Sequence, residues 1–443
     1  MTDLSLNLKR NFIRYTLANV LGMLGFSCYI LADTFFIAQR TGATGLAALN
    51  IALPYYNFLN GLAMMVGTGG ATSFSLHRFK SIFTQSMFLL ALFAVPVFVL
   101  GVFFTEPLSI VLGANEETMK LTCTYLRTLC LFSPMFMLNA LMSAFIRNDG
   151  SPGLSMAGML SASFSNVVMD YILMYPCNLG LFGAALATGI APIASMAVMS
   201  MHFIKKKHTF HIQKERPSFR QWNTIVSLGL FAFVTELASG VSIMLFNYLI
   251  IEQKGNLGVA AYGVVANCVI IFIYIFTGIS QGMQPLVSSS ISLGKTKDAY
   301  QIRKYAIVCA LGLSVFVYPS IYFGTDLIVN MFNSEQNVVM AAIAHDGMRL
   351  YFTSIFLSGV NIVLIAYYSA IGKGHLAFIL SLLRGLLFLA PVAFLMAQLF
   401  QMTGIWLAQT VTELLVFVMI LLCTIFFLHP RSEDQRKNIS YDS

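Results

Sequence analysis

Apolar residues fall in long, nearly unbroken runs along this chain, not in the spaced stripe of a helix that packs one face on a soluble core. Six runs occupy 12–37, 46–74, 83–104, 121–146, 153–175 and 181–204. Six more occupy 224–251, 257–285, 303–323, 343–371, 375–398 and 404–428. A helix needs about 20 apolar residues to cross a bilayer, and each run meets that length. Backbone amides without partners cannot survive in hydrocarbon, and the runs are too uniform for the alternating strands of a barrel. The pattern therefore predicts an all-α membrane protein of twelve spans. Lys9, Arg10 and Arg14 precede the first run, which continues to about Ala38. That is too long for the core of a cleaved signal and predicts a retained first span.

The longest polar stretch between runs is Lys205 to Asn223, with six runs on either side. This predicts two six-helix lobes, 1–204 and 224–430, joined by a linker at 205–223 and followed by a tail at 431–443. A shift of 213 residues superposes Gly42, Gly45, Ala47 and Ala48 on Gly255, Gly258, Ala260 and Ala261, and Gly69 on Gly282. A shift of 222 pairs Arg127 with Arg349, Asn139 with Asn361, Ala144 with Ala366 and Gly150 with Gly372. Six spans per half give both halves the same orientation, so the repeat is parallel, an arrangement found in transporters that open alternately to the two sides.

Composition agrees. Of 443 residues, 58% are hydrophobic and only 10% charged, and the mean hydropathy is +0.78. A soluble globule could not hide that much apolar surface. The net charge of +8 is explained by location. With the N-terminus inside, most Lys and Arg fall on one face, and only Arg40, Lys120 and Lys254 fall on the other. This bias predicts a multi-pass membrane protein with both termini cytoplasmic. Lys205, Lys206 and Lys207 then anchor an inside loop and are no nucleic-acid patch, and His208 and His211 beside them are expected in solvent. The seven cysteines form no C-x-x-C pair and are expected to be small buried hydrophobes. Gly67-Thr68-Gly69-Gly70 lacks the Lys-Ser/Thr of a phosphate loop. No nucleophile–base motif appears, so a transporter without cofactors is expected rather than an enzyme.

Polar groups at membrane depth need a reason. Asp33 lies toward the outer end of the first run, with Tyr29 one turn earlier on the same face. Asn166 and Asp170 share a face of the fifth run, the sixth offers Thr188 and the fourth Asn139. Two carboxylates with amide and hydroxyl neighbours can hold a small hard cation such as Na+, at Asp33, Asn166 and Asp170, or share a proton. Either event changes local charge and can bias a bistable bundle. The bland alternative makes Asp33 a helix cap and Asp170 a partner in an interhelical hydrogen bond, with Tyr29, Asn139 and Thr188 as helix–helix glue. Glu236, in the small apolar stretch FAFVTELASG, is the clearest acid of the second half. It suits a cationic substrate, a second cation or a proton, unless Arg349 or Arg384 pairs with it. Glu413, one turn after Gln409, is expected to pair with an intramembrane arginine.

At these residues the chain resembles the multidrug and toxic compound extrusion (MATE) family, within or near its DinF-like branch. The similar stretches are ADTFFIAQ at 32–39, FIRNDGSPGLSMAGML at 145–160, SNVVMDYIL at 165–173, GLFGAALATGIA at 180–191 and GISQGMQPLVSSSISLGK at 278–295. The resemblance implies a twelve-helix, two-lobed fold that exports amphipathic, often cationic compounds in exchange for Na+ or H+. It implies an N-lobe cation site at Asp33, Tyr29, Asn166, Asp170, Asn139 and Thr188. Glu236 takes the place of an acid found in other branches. Those branches also carry an acid in the tenth span, where this chain has only Asn361. Glu236, Asn361, Gln281 and Gln284 are thus candidates for substrate or a second cation. The expected partners are small amphipathic drugs or dyes and the bilayer, with no nucleic acid, and the expected state is a monomer. The alternative is a lipid-linked oligosaccharide flippase of related fold. Its cavity needs several basic groups, and only Arg127, Arg349 and Arg384 lie within spans.

Overall fold

The computed structural model describes residues 8–79, 81–206, 208–332 and 337–428. Lys80, Lys207 and the 431–443 tail with its basic residues lie outside the described residues. The helices are α1 (Leu8–His77), α2 (Ile82–Phe103), α3 (Thr105–Val111), α4 (Met119–Leu131), α5 (Ser133–Asn148), α6 (Pro152–Met174), α7 (Gly180–Met199) and α8 (Met201–Ile204). They continue with α9 (Phe219–Ser292), α10 (Thr296–Phe332), α11 (Val338–Tyr351), α12 (Ile355–Ala370), α13 (Gly374–Leu382) and α14 (Leu389–Leu428). No strand occurs among the described residues.

Several apolar runs are less simple than their composition implies. The 70 residues of α1 turn on a single residue, Gly42 (φ 66°, ψ −159°), and the 74 of α9 turn on Gly255 (φ 60°, ψ −155°). These are the two glycines that the 213-residue shift pairs. Nothing lies within 4 Å of a Cβ built on either, so it is the left-handed backbone and not crowding that calls for glycine. The 121–146 run is two helices, α4 and α5, bent by 48° where Pro134 starts the second. The 343–371 run is interrupted by a tight turn at Phe352–Ser354. Leu383–Leu387 forms a π-helical turn around Arg384, and α14 breaks at Gln401 (φ 50°). Among the described residues, seven helices are long and apolar enough to cross a membrane, or eight with α4 and α5 as one bent span. Reaching the expected twelve requires dividing the long helices at Gly42, Gly255 and Gln401 and counting α6 as well.

The most extensive pairing in the molecule is between α1 and α9, and glycines make it possible. A Cβ at Gly69 would stand 2.0 Å from the Ile225 carbonyl oxygen, and one at Gly229 would stand 1.9 Å from that of Met65. Across the way, Gly278 and Gly282 place their would-be Cβ atoms 2.8 Å and 2.7 Å from the Cα atoms of Val20 and Thr16. Two backbone-to-backbone crossings thus hold α1 against α9. On either side lie packed apolar clusters, one centred on Phe246, Tyr262, Phe276 and Trp406, the other on Phe83, Phe145 and Phe210.

The 205–218 segment carries no helix, yet it is tied down. Gln85 donates to the Arg216 carbonyl (2.8 Å) and accepts from the Ser218 amide (2.9 Å), while Thr84 accepts from the Gln213 amide (2.8 Å). His208 is accordingly half-buried, its ring 5.0 Å from that of Phe203, instead of standing in solvent. All seven cysteines are free, and Cys28 and Cys177 are exposed where burial was expected.

Candidate functional site

A cavity lies between the halves, lined by residues of α1, α4, α7, α9 and α12 together with Arg384. Asp33, Thr34, Leu49, Tyr56, Tyr125 and Thr188 line one wall. Glu236, Tyr274 and Arg384 line the other, and Gln281 and Gln284 lie low between them.

Asp33, on the first arm of α1, is 7% exposed, and Asp170, on α6 behind it, is fully buried. Their carboxyl groups face one another within hydrogen-bonding reach. Asn166, one turn before Asp170, turns its amide nitrogen to Asp170 Oδ2 at 3.1 Å. Its oxygen accepts from Thr188 Oγ1 at 3.2 Å and from the Thr188 amide at 3.3 Å. The i, i+4 spacing thus does what helical geometry requires, and it ties α6 to α7. Asp33 Oδ1 and Asp170 Oδ1 remain buried without a hydrogen-bond partner. Two carboxylates this close cannot both stay charged and unsatisfied, so the pair fits a proton or a small cation with hard oxygen ligands. No third acid, cysteine or histidine joins them among the described residues, so the chemistry suits a monovalent ion or a proton better than a transition metal.

The other expected members are distributed around the pair. Tyr29 lies near Asp33, but its hydroxyl bonds to that of Tyr56 at 3.1 Å. Asn139 on α5 keeps its side-chain oxygen buried and unpartnered, and no hydrogen bond joins it to the acids. Tyr125 on α4, which sequence reasoning passed over, reaches Thr188 with its hydroxyl and lies close to both carboxylates.

Glu236 has the Asn60 side chain as a polar neighbour and forms no ion pair among the described residues. Neither Arg349 nor Arg384 takes it. Arg384 instead holds Glu413, with Nη2 to Oε1 at 2.7 Å and Nε to Oε1 at 2.9 Å. Ser358 (2.9 Å), Gln409 (3.1 Å) and Asn361 (2.7 Å) also donate to the Glu413 carboxylate. Asn361 therefore belongs to that ion pair and does not line the cavity. Arg349 lies over the Tyr322 ring, 4.4 Å from its centroid, and Arg127 donates to Thr105 at 3.3 Å, as scaffold groups would. Below, Arg147 bridges Asn19 (2.8 Å) and Gln281 (2.5 Å) across the two halves, while Gln284 Nε2 is buried without a partner.

A helical membrane protein with a cavity between two halves and acids sunk in its walls is an architecture found in membrane transporters. The MatE family model matches residues 19–172 and 232–395, and the chain belongs to that family. It is 27% identical over 414 residues to the multidrug export protein MepA of Staphylococcus aureus strain MSSA476, covering 90% of each chain. It is 26% identical over 426 residues to MepA of Staphylococcus saprophyticus, covering 93% of each. Among solved structures, an outward-facing multidrug resistance MATE transporter superposes with a TM-score of 0.87 at 20% identity, covering 94% of both chains. A transporter of the same superfamily from Pyrococcus furiosus superposes at 0.86, also with 20% identity and 94% coverage of both.

Proposed function

We propose that the protein is a multidrug exporter that expels amphipathic organic cations from the cell and draws its energy from one Na+ or H+ entering at Asp33 and Asp170. The observation that carries this reading is the pair of buried, unpartnered carboxylate oxygens, Asp33 Oδ1 and Asp170 Oδ1, beside a cavity between two halves. An ion arriving there neutralises the pair, ties α1 to α6 and changes which packing of the helices is preferred. The guest is released as the packing changes.

Glu236, with only an amide for a partner, offers a negative charge to a guest, and the rings of Tyr29, Tyr56 and Tyr274 add faces that attract cations. The cavity encloses about 210 Å³, below the usual range for a drug-sized guest, so larger guests require the halves to part further. The charge bias places both termini inside. Coupling rests on one site, because Glu413 already has its counter-ion in Arg384. A flippase for pyrophosphate-linked sugars is disfavoured, since the cavity's arginine is spent on that ion pair. The protein works as a monomer, each chain containing the whole cavity.

The test is export of a cationic dye from proteoliposomes under separately imposed sodium and pH gradients, for the wild type and Asp33→Asn. The wild type should respond to one gradient, and the variant, still folded, to neither. Full gradient-driven export by Asp33→Asn would refute the coupling site.

A further inference from the structure

A second cavity, of about 500 Å³, lies in the first half, among α2, α5 and α7 and against residues 208–212 of the following segment. Its lining is apolar and rich in methionine, with Met87, Met142, Met196 and Met199 supplied by the three helices and Phe210 and Ile212 by the roof. Such a surface adapts to a flexible guest. The roof is held open as a built feature: the Asp149 carboxylate accepts from the Thr209 amide (2.8 Å), the Thr209 hydroxyl and His202 Nε2 (2.9 Å), beside the Gln85 and Thr84 bonds described above. Phe210 is thereby fully buried while Ile212, two residues on, is 76% exposed.

The rim is predominantly basic. His208 and His211 line the cavity with their rings 5.1 Å apart, and His208 Nδ1 is buried without a partner. Lys205 and Lys206 stand exposed beside them. Along the roof Lys214 and Arg216 flank the single acid, Glu215. Asp149 below is already saturated by its donors. This end of the protein is the Lys- and Arg-rich face, where a bilayer's headgroups begin. Basic pockets between spans at that level recognise anionic headgroups.

We infer that this cavity holds an acyl chain of one anionic phospholipid, whose phosphate rests on His208, His211, Lys205 and Lys206. The bound lipid fastens the linker between the halves to the first half. The site is separate from the central cavity and needs no part of the coupling mechanism.

Native mass spectrometry of the purified full-length protein tests this, titrated with palmitoyl-oleoyl phosphatidylglycerol or with the phosphatidylcholine of the same chains. The wild type should retain one phosphatidylglycerol with at least about fivefold preference over phosphatidylcholine. Met142→Trp, which fills the cavity, should lower retention about tenfold, and Met196→Phe serves the same purpose where the tryptophan prevents folding. Replacing Lys205, Lys206, His208 and His211 by glutamine should bring the two lipids to parity while leaving a chain in the pocket. Equal retention of both lipids by the wild type, full retention by a folded cavity-filled variant, or displacement by soluble glycerol phosphate would overturn the inference.

Discussion

Removing Arg384 and removing Glu413 should not cost the same, although the two form one ion pair. Glu413 has no side-chain exposure, whereas Arg384 retains 14% and borders the central cavity. In Arg384→Met the carboxylate keeps Ser358, Asn361 and Gln409 as donors but loses its only cation. An uncompensated buried charge costs about 3–5 kcal/mol. In a packed half of roughly 200 residues this lowers the unfolding midpoint by roughly 6–20 °C. In Glu413→Gln the guanidinium can turn to water in the cavity, and the glutamine keeps an acceptor for Ser358 and Asn361, so about 1–2 kcal/mol is lost. Arg384→Met with Glu413→Leu removes both charges and should recover most of the single-variant loss. The assay is thermal unfolding of the detergent-solubilised variants by intrinsic fluorescence, with the coupling taken from the double-mutant cycle. Equal losses in the two single variants, or a double variant as unstable as Arg384→Met, would refute a locked pair. Arg384→Met also leaves a free acid beside the cavity, and a second dependence on the coupling ion in its export would follow from the same reasoning.

Three further outcomes are expected. Glu236→Gln should reduce export of cationic dyes at least about tenfold more than that of neutral ones, since one uncompensated charge is lost; paired efflux assays on matched guests check this, and equal losses would exclude contact with the guest. Tyr125→Phe should raise the coupling-ion concentration needed for half-maximal export by about tenfold, for one hydrogen bond at a buried acidic site, with folding unchanged by thermal unfolding. Gly229→Val should abolish export and lower the unfolding midpoint, because its side chain would begin 1.9 Å from the Met65 carbonyl; a folded, active variant would show that the α1–α9 crossing opens without penalty.

How far the sequence could be read differs by the kind of signal. Apolar length made the membrane class plain, because hydrocarbon tolerates little else. Breaks inside apolar runs were invisible: Gly42 and Gly255 stood out only as a repeat, and the π-helical turn at Arg384 has no compositional mark. A buried acid must find a counter-ion, so an arginine for Glu413 was foreseeable, but which arginine required the packing. Glu236 illustrates the converse, since its partner Asn60 lies in the opposite half. Tyr125 was missed because a tyrosine in an apolar run looks like core until its hydroxyl is seen to reach Thr188. Asn361 was assigned to a substrate or second-cation role because it stands where other branches of the family carry an acid, whereas Glu413 claims its amide.

The two halves share a backbone plan but not an electrostatic one. Gly42 and Gly255 reverse their helices with almost the same angles, and Gly69 and Gly282 sit at matching crossings. Inside that common frame the first half leaves two carboxylate oxygens bare, and the second fills its acid's needs with Arg384, Asn361, Ser358 and Gln409. A bistable bundle driven by an ion needs one element that changes charge and another against which the change is measured. On the proposed coupling, the locked Glu413–Arg384 pair serves as that reference, while Glu236, the acid of that half without an ion pair among the described residues, faces the cavity and its guest. The ion-driven change in packing would then begin at Asp33 and Asp170, on α1 and α6, and reach the second half through the α1–α9 contact.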